Sequence, residues 1–95
     1  MKIILAPEAE RDLEEIFTFL LEDDPRAAEA VLERIEKRIS QLRDHPHIGR
    51  PGRVPGTREL VIPKTPFIVP YQVTGNMIEV LRIYHGARQW PEDFE

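Results

Sequence analysis

The residues of this chain best suited to chemistry gather in its second half. Residues 77–91 read M-I-E-V-L-R-I-Y-H-G-A-R-Q-W-P. Arg82 lies inside an apolar run, Tyr84 and His85 end it, and Arg88, Trp90 and Pro91 follow a break at Gly86. A strand that only fills a core has no use for two arginines and a histidine at its exit. Grouped there, they make a surface for a negatively charged ligand or partner. Arg50, Arg53 and Arg58 extend that surface from a Gly/Pro-rich stretch just upstream, with the carboxylate of Glu59 beside them.

Each of these side chains also has a structural reading. Arg82 can pair with Glu79, Glu59 or an acidic helix residue, and His85 can hydrogen-bond a backbone carbonyl at a strand end. Arg50, Arg53 and Arg58 can belong to a solvated loop. Arg82 and His85 are an odd number of residues apart, so a regular strand sends them to opposite faces. They share a site only if the strand twists out near Tyr84. His45 and His47 could join His85 around a metal, but no carboxylate or cysteine is suitably spaced among them, so neither metal nor cofactor is expected. Trp90-Pro91 reads as a cover for the sheet edge.

These residues need a scaffold, and the pattern supplies one. Residues 2–6 read as a first strand. Pro7 suits the first turn of a helix, with Glu8, Glu10 and Asp12 near the positive end of its dipole. Leu13, Ile16, Phe17, Leu20 and Leu21 recur at helical spacing. Asp24 caps a second helix that begins at Pro25, and Ala28, Val31, Leu32, Ile35, Ile39 and Leu42 form its stripe as far as about Asp44. The short connection makes the pair an antiparallel hairpin. Residues 45–57 are a loop rich in proline and glycine, long enough to suggest a function. Strands are expected over 58–62, 67–73 and 77–85, joined by short turns. Pro70 sits awkwardly in the middle strand and predicts a bulge or an unpaired stretch there. The result is an α+β fold, β-α-α-β-β-β, with a helical hairpin on one face of a small, mainly antiparallel sheet.

Composition sets limits on function. The 95 residues suffice for one domain and not two. The absence of cysteine excludes disulfides and cysteine-bound zinc. The apolar start is too short for a signal peptide and no stretch is long enough to span a membrane, so a soluble, cytosolic protein is expected. The net charge of −4 is divided unevenly: residues 1–44 carry seven Lys/Arg against twelve Asp/Glu, residues 45–91 six against two, and the acidic tail 92–95 three Asp/Glu. That balance argues against sequence-blind nucleic-acid binding while leaving a local basic surface on residues 45–91.

The proline-led helix Ala6-Pro7-Glu8-Ala9-Glu10-Arg11-Asp12-Leu13 is followed by His45-Pro46-His47-Ile48-Gly49-Arg50-Pro51 and Gly56-Thr57-Arg58-Glu59-Leu60. Val69-Pro70-Tyr71-Gln72-Val73 and Leu81-Arg82-Ile83-Tyr84-His85-Gly86-Ala87-Arg88 complete the series. In this order and spacing, the chain resembles the RelE/ParE superfamily, the toxins of bacterial type II toxin–antitoxin modules. The resemblance implies a growth-arresting protein neutralised by a cognate antitoxin, with operator DNA contacted only through that antitoxin. RelE-like members cleave mRNA on the ribosome, and ParE-like members inhibit DNA gyrase.

Metal-free RNA cleavage needs a base, an acid and cations to stabilise the phosphorane. Glu59, His85 and the arginines Arg58, Arg82 and Arg88 are the candidates. Against that reading, the resemblance implies, for RelE-like nucleases, an arginine in the third strand before the Val-x-Tyr element and a lysine-rich chain. Here that stretch carries no cation, and the chain is acidic with only three lysines. The ParE-like reading is therefore preferred, with Arg50, Arg53, Arg58, Arg82, His85 and Arg88 as the target-binding surface. Leu13, Phe17, Leu20 and Val31, if left open between the helices, would receive an amphipathic antitoxin helix. An inactive toxin fold that retains only antitoxin binding is a further alternative.

Overall fold

The computed structural model describes residues 1–86; Arg88, Trp90 and Pro91 lie outside the described residues. Strand β1 (Lys2–Leu5) leads through Ala6 into α1 (Pro7–Asp23), and α2 spans Pro25–Ser40. Proline occupies the first turn of both helices, where its missing N–H costs no helical hydrogen bond. Asp24 separates the helices and serves both. Its backbone N–H donates to the Leu20 carbonyl at 2.8 Å, and its Oδ1 accepts from the Arg26 N–H at 3.1 Å. The second helix stops earlier than its apolar pattern suggests. Residues Gln41–Arg43 tighten into a 3-10 turn that still buries Leu42.

The remaining strands are β2 (Arg50–Pro51), β3 (Arg58–Val61), β4 (Phe67–Thr74), β5 (Met77–Val80) and β6 (Tyr84–His85). Their order is β1-β5-β4-β3-β2, with β6 also paired to β4. All pairings are antiparallel except β1 with β5. Leu60, Val69, Tyr71, Ile78 and Val80 share one face, where Ala9, Ile35, Ile39 and Leu42 of the helical layer cover them. The opposite face carries Arg50, Glu59, Val61, Ile68, Pro70, Gln72, Glu79 and Tyr84. No helix among the described residues is long and apolar enough to cross a membrane.

Two expectations need correction. The loop 45–57 is not wholly irregular, because Arg50 and Pro51 pair with Glu59 and Arg58 as a short edge strand. The last strand is not continuous over 77–85 but breaks at Leu81–Ile83. Pro70 supplies the reason. Tyr71 pairs with Val80 and Ile68 with Tyr84, so Val69 and Pro70 face three residues, Leu81, Arg82 and Ile83. Leu81 N–H donates to the Pro70 carbonyl at 2.9 Å. The N–H and C=O of a strand residue point the same way, so proline's missing donor faces this stretch. The ladder fails there, and the extra residue is accommodated as a bulge.

Candidate functional site

The bulge decides where Arg82 goes. Its Nε donates to Asp12 Oδ2 at 2.7 Å and its Nη2 to Oδ1 at 3.1 Å, a two-point grip on helix α1. Ile83 N–H, released from the ladder, donates to the same Asp12 Oδ2 at 2.9 Å. The pair is largely enclosed, with 19% of the Arg82 side chain and 13% of the Asp12 side chain exposed. Of the structural partners considered for Arg82, an acidic helix residue is the one present. Its guanidinium ties the bulged strand to the helical layer.

His85 is opposite Phe67 and meets it edge-on, with ring centroids 6.0 Å apart. Phe67 packs against the core, so His85 lies on the helix-covered side. The bulge thus puts Arg82 and His85 on the same side of the sheet despite their odd spacing. Glu59, opposite Pro70, lies on the other. Glu59, Arg82 and His85, three of the five candidates for RNA cleavage, are divided between two faces.

Arg58 is engaged internally as well. Its Nη1 donates to the carbonyls of Gly49 at 2.8 Å and His47 at 3.2 Å. Beside it, the hydroxyl of Tyr71 donates to the Pro46 carbonyl at 2.8 Å and accepts from Gly49 N–H at 3.0 Å. Burial raises the Tyr71 pKa, opposed by the Gly49 N–H and the charges of Arg58 and Arg38. A Cβ on Gly49 would come 2.7 Å from a ring carbon of Tyr71 and 2.9 Å from the Glu59 carbonyl. The His-Pro-x-x-Gly segment is therefore a latch, closed by a tyrosine 22 residues from Gly49. Tyr71 and Asp12 were missed as site-shaping residues. A buried arginine demanded a carboxylate, but nothing in the spacing singled out Asp12 among the acids of α1.

The helix-free face carries the second arginine–carboxylate pair. Arg50 Nε donates to Glu59 Oε1 at 2.9 Å, with 55% of the arginine side chain exposed and only 4% of the glutamate. Glu59 Oε2 is buried without a hydrogen-bond partner. Tyr84 lies on the same face and is buried. Burial raises its pKa first, the Glu59 charge raises it further, and Arg53 and Arg50 oppose both. Arg53 is exposed on the loop. Among the described residues no three His, Cys, Asp or Glu side chains cluster closely enough to hold a metal.

A second surface lies in the helical layer. Leu13, Phe17, Leu20 and Val31 are only half buried, and with Ile16 and Leu32 they line a shallow cleft between the helices, too narrow to hold a water molecule, over Ala28 and Ile35. On the same hairpin, Phe19 is 71% exposed.

The family model for the ParE toxin of the type II toxin-antitoxin system parDE matches residues 3–90. The chain belongs to the ParE toxin family. It is 42% identical over 82 residues to a Sinorhizobium fredii protein named as toxin Y4kP, covering 86% of this chain and 84% of that one. Toxin RelE1 of Caulobacter vibrioides is 33% identical over 89 residues, covering 92% and 95%. Among solved structures, the chromosomal ParDE system from P. aeruginosa superposes with a TM-score of 0.81 at 30% identity, covering 90% of this chain and 95% of that chain. The RelBE2 toxin-antitoxin complex from Mycobacterium tuberculosis shares the fold, with a TM-score of 0.61 at 22% identity over 88% and 95% of the two chains. Like its family, this ParE-type chain is a type II toxin. The relatives carry both RelE and ParE names, so the target must be argued from the site.

Proposed function

We propose that this toxin arrests growth by binding DNA gyrase and that a cognate antitoxin neutralises it. The division of Glu59 from Arg82 and His85 by the sheet carries the reading. A base, an acid and a phosphate clamp must reach one phosphodiester together, and these side chains face two ways. The helix-free face is also poor in the aligned cations that RNA requires, since Lys2 and Arg50 there are matched by Glu59 and Glu79. Arg50 and Arg53, with Val61 44% exposed on the same sheet face as Arg50, suit a protein target instead.

The antitoxin's place is the cleft lined by Leu13, Phe17, Leu20 and Val31. An amphipathic helix laid there would complete the burial of these half-covered side chains, at roughly 25 cal/mol per Å² of apolar surface removed from water. The ParDE and RelBE2 neighbours are both toxin–antitoxin systems, which supports such a partner.

The test is controlled induction in a bacterial host, with RNA ends mapped early and supercoiling by purified gyrase assayed in parallel. Arrest with intact mRNA and lost supercoiling is the expected outcome. New cleavages inside translated codons, with gyrase unaffected, would replace this reading with a ribosome-dependent endonuclease acting in the cytoplasm.

A further inference from the structure

The molecule holds two arginine–carboxylate pairs among its described residues, and they differ in kind. Arg82 and Asp12 meet at two points, the usual fit of a guanidinium on a carboxylate. Arg50 and Glu59 meet at one. Only Nε of Arg50 is engaged, so the outer end of its guanidinium, Nη1 and Nη2, makes no contact with the carboxylate. Behind it, Glu59 is almost wholly buried, with Oε2 unpaired. Leaving a buried carboxylate oxygen unsatisfied is costly. A carboxylate placed only to stabilise the fold would take the second contact. This one holds the arginine by its inner nitrogen and leaves the outer ones exposed.

We propose that Glu59 is a positioning residue for Arg50, which presents the outer end of its guanidinium to a carboxylate on the toxin's protein target. The assignment rests on the reading that this toxin acts by binding a protein. Three observations give the partner its chemistry. The pair sits at the β2 edge of the helix-free face, where Arg50 is mostly exposed. Exposed Val61 and half-buried Ile68 lie on that face two positions along the neighbouring strands, so the contact combines one fixed charge with apolar surface. Arg53, exposed three residues further along the chain, adds a second positive charge. A fixed, forked donor beside apolar groups matches an acidic side chain set in a protein surface. A phosphate backbone would need a longer row of cations.

The experiment is a double-mutant cycle between Glu59→Gln and Arg50→Ala, read as affinity for purified gyrase and as colony survival on induction. Thermal stability and antitoxin affinity are measured on the same four proteins. Glutamine keeps the shape and an acceptor for Nε but removes the charge that fixes the guanidinium. Expected are a loss of about tenfold in target affinity for Glu59→Gln and about a hundredfold for Arg50→Ala. Glu59→Gln should add nothing to the loss of target affinity in the Arg50→Ala background. Stability and antitoxin affinity should stay near wild type for Glu59→Gln. Arg50→Ala strands the buried Glu59 carboxylate and lowers stability, which the added Glu59→Gln restores without restoring target affinity. Arg50→Lys, which keeps the charge without the fork, should recover only part of the loss.

Wild-type affinity and survival for Glu59→Gln would overturn the proposal. So would equal losses with and without Arg50, or losses that follow stability or antitoxin affinity. If the wild-type toxin leaves gyrase untouched, the gyrase reading fails by itself. The pair is then judged on survival alone, by the same cycle.

Discussion

Arg82 and Arg50 stand on strands of one sheet, each facing a carboxylate, yet the two regions put the same chemistry to different use. Around Arg82, the bulge opposite Pro70 turns the side chain toward α1, and Asp12 takes the guanidinium and the Ile83 N–H together. Around Arg50, the carboxylate is deeper than the arginine and touches it once. The first arrangement uses up an arginine to close the fold. The second keeps one available. An arginine in a strand is therefore not a binding residue by virtue of its charge; its partner's geometry decides.

The sharpest way to break this comparison is Asp12→Ala. It strands a mostly enclosed guanidinium and a backbone donor together, which costs about 3 kcal/mol or more. In a domain of this size, a thermal melt should show Tm lowered by on the order of 10–20 °C. Toxicity and antitoxin binding should fall together; toxicity lost at unchanged Tm would make Arg82 a target contact after all. Gly49→Ala is next. Its new methyl meets the Tyr71 ring and the Glu59 carbonyl, so the latch that carries Arg50 must shift, at about 1–3 kcal/mol. Denaturant titration reads the cost, and the loss of toxicity should exceed what the lost stability explains.

Glu59→Gln should move stability by less than about 1 kcal/mol, since one hydrogen bond survives and a buried charge disappears. A melt as damaged as that of Asp12→Ala would erase the distinction between the two regions. The smallest effect belongs to Tyr84. Its folded pKa is raised, so above the ordinary value near 10 the unfolded chain gives up the proton first. Stability is thus fully present below that pH and declines as pH rises through the folded value. Tyr84→Phe should flatten the alkaline limb of a stability–pH profile.

Much of the scaffold was legible because it depends on local rules. Proline after Ala6 and after Asp24 marks two helix starts, and the apolar stripes put Ile35, Ile39 and Leu42 in the core. Pro70 announced an irregularity in β4, and the chain is bulged beside it. The candidate site was less legible because its geometry comes from distant partners. Asp12 and Arg82 are 70 residues apart, and Tyr71 reaches back 22 and 25 residues to Gly49 and Pro46. Spacing within one strand could not show that a bulge would bring Arg82 and His85 to one side. The pairing of Arg50 with Glu59 was hidden for a related reason, since the two-residue strand β2 lies in a stretch whose prolines and glycines read as loop.

The parallel pairing of β1 with β5 has a consequence in time. Lys2–Leu5 is joined in parallel to Met77–Val80, so a strand made early waits for one made after both helices and most of the sheet. The residues of the interhelical cleft all lie between 13 and 35, within one local hairpin. The helix-free face is complete only when Tyr84 has reached β4. During synthesis the surface proposed for the antitoxin is therefore spelled out long before the surface proposed for the target; on that reading a newborn toxin offers its restraint a place to hold before it has the means to act.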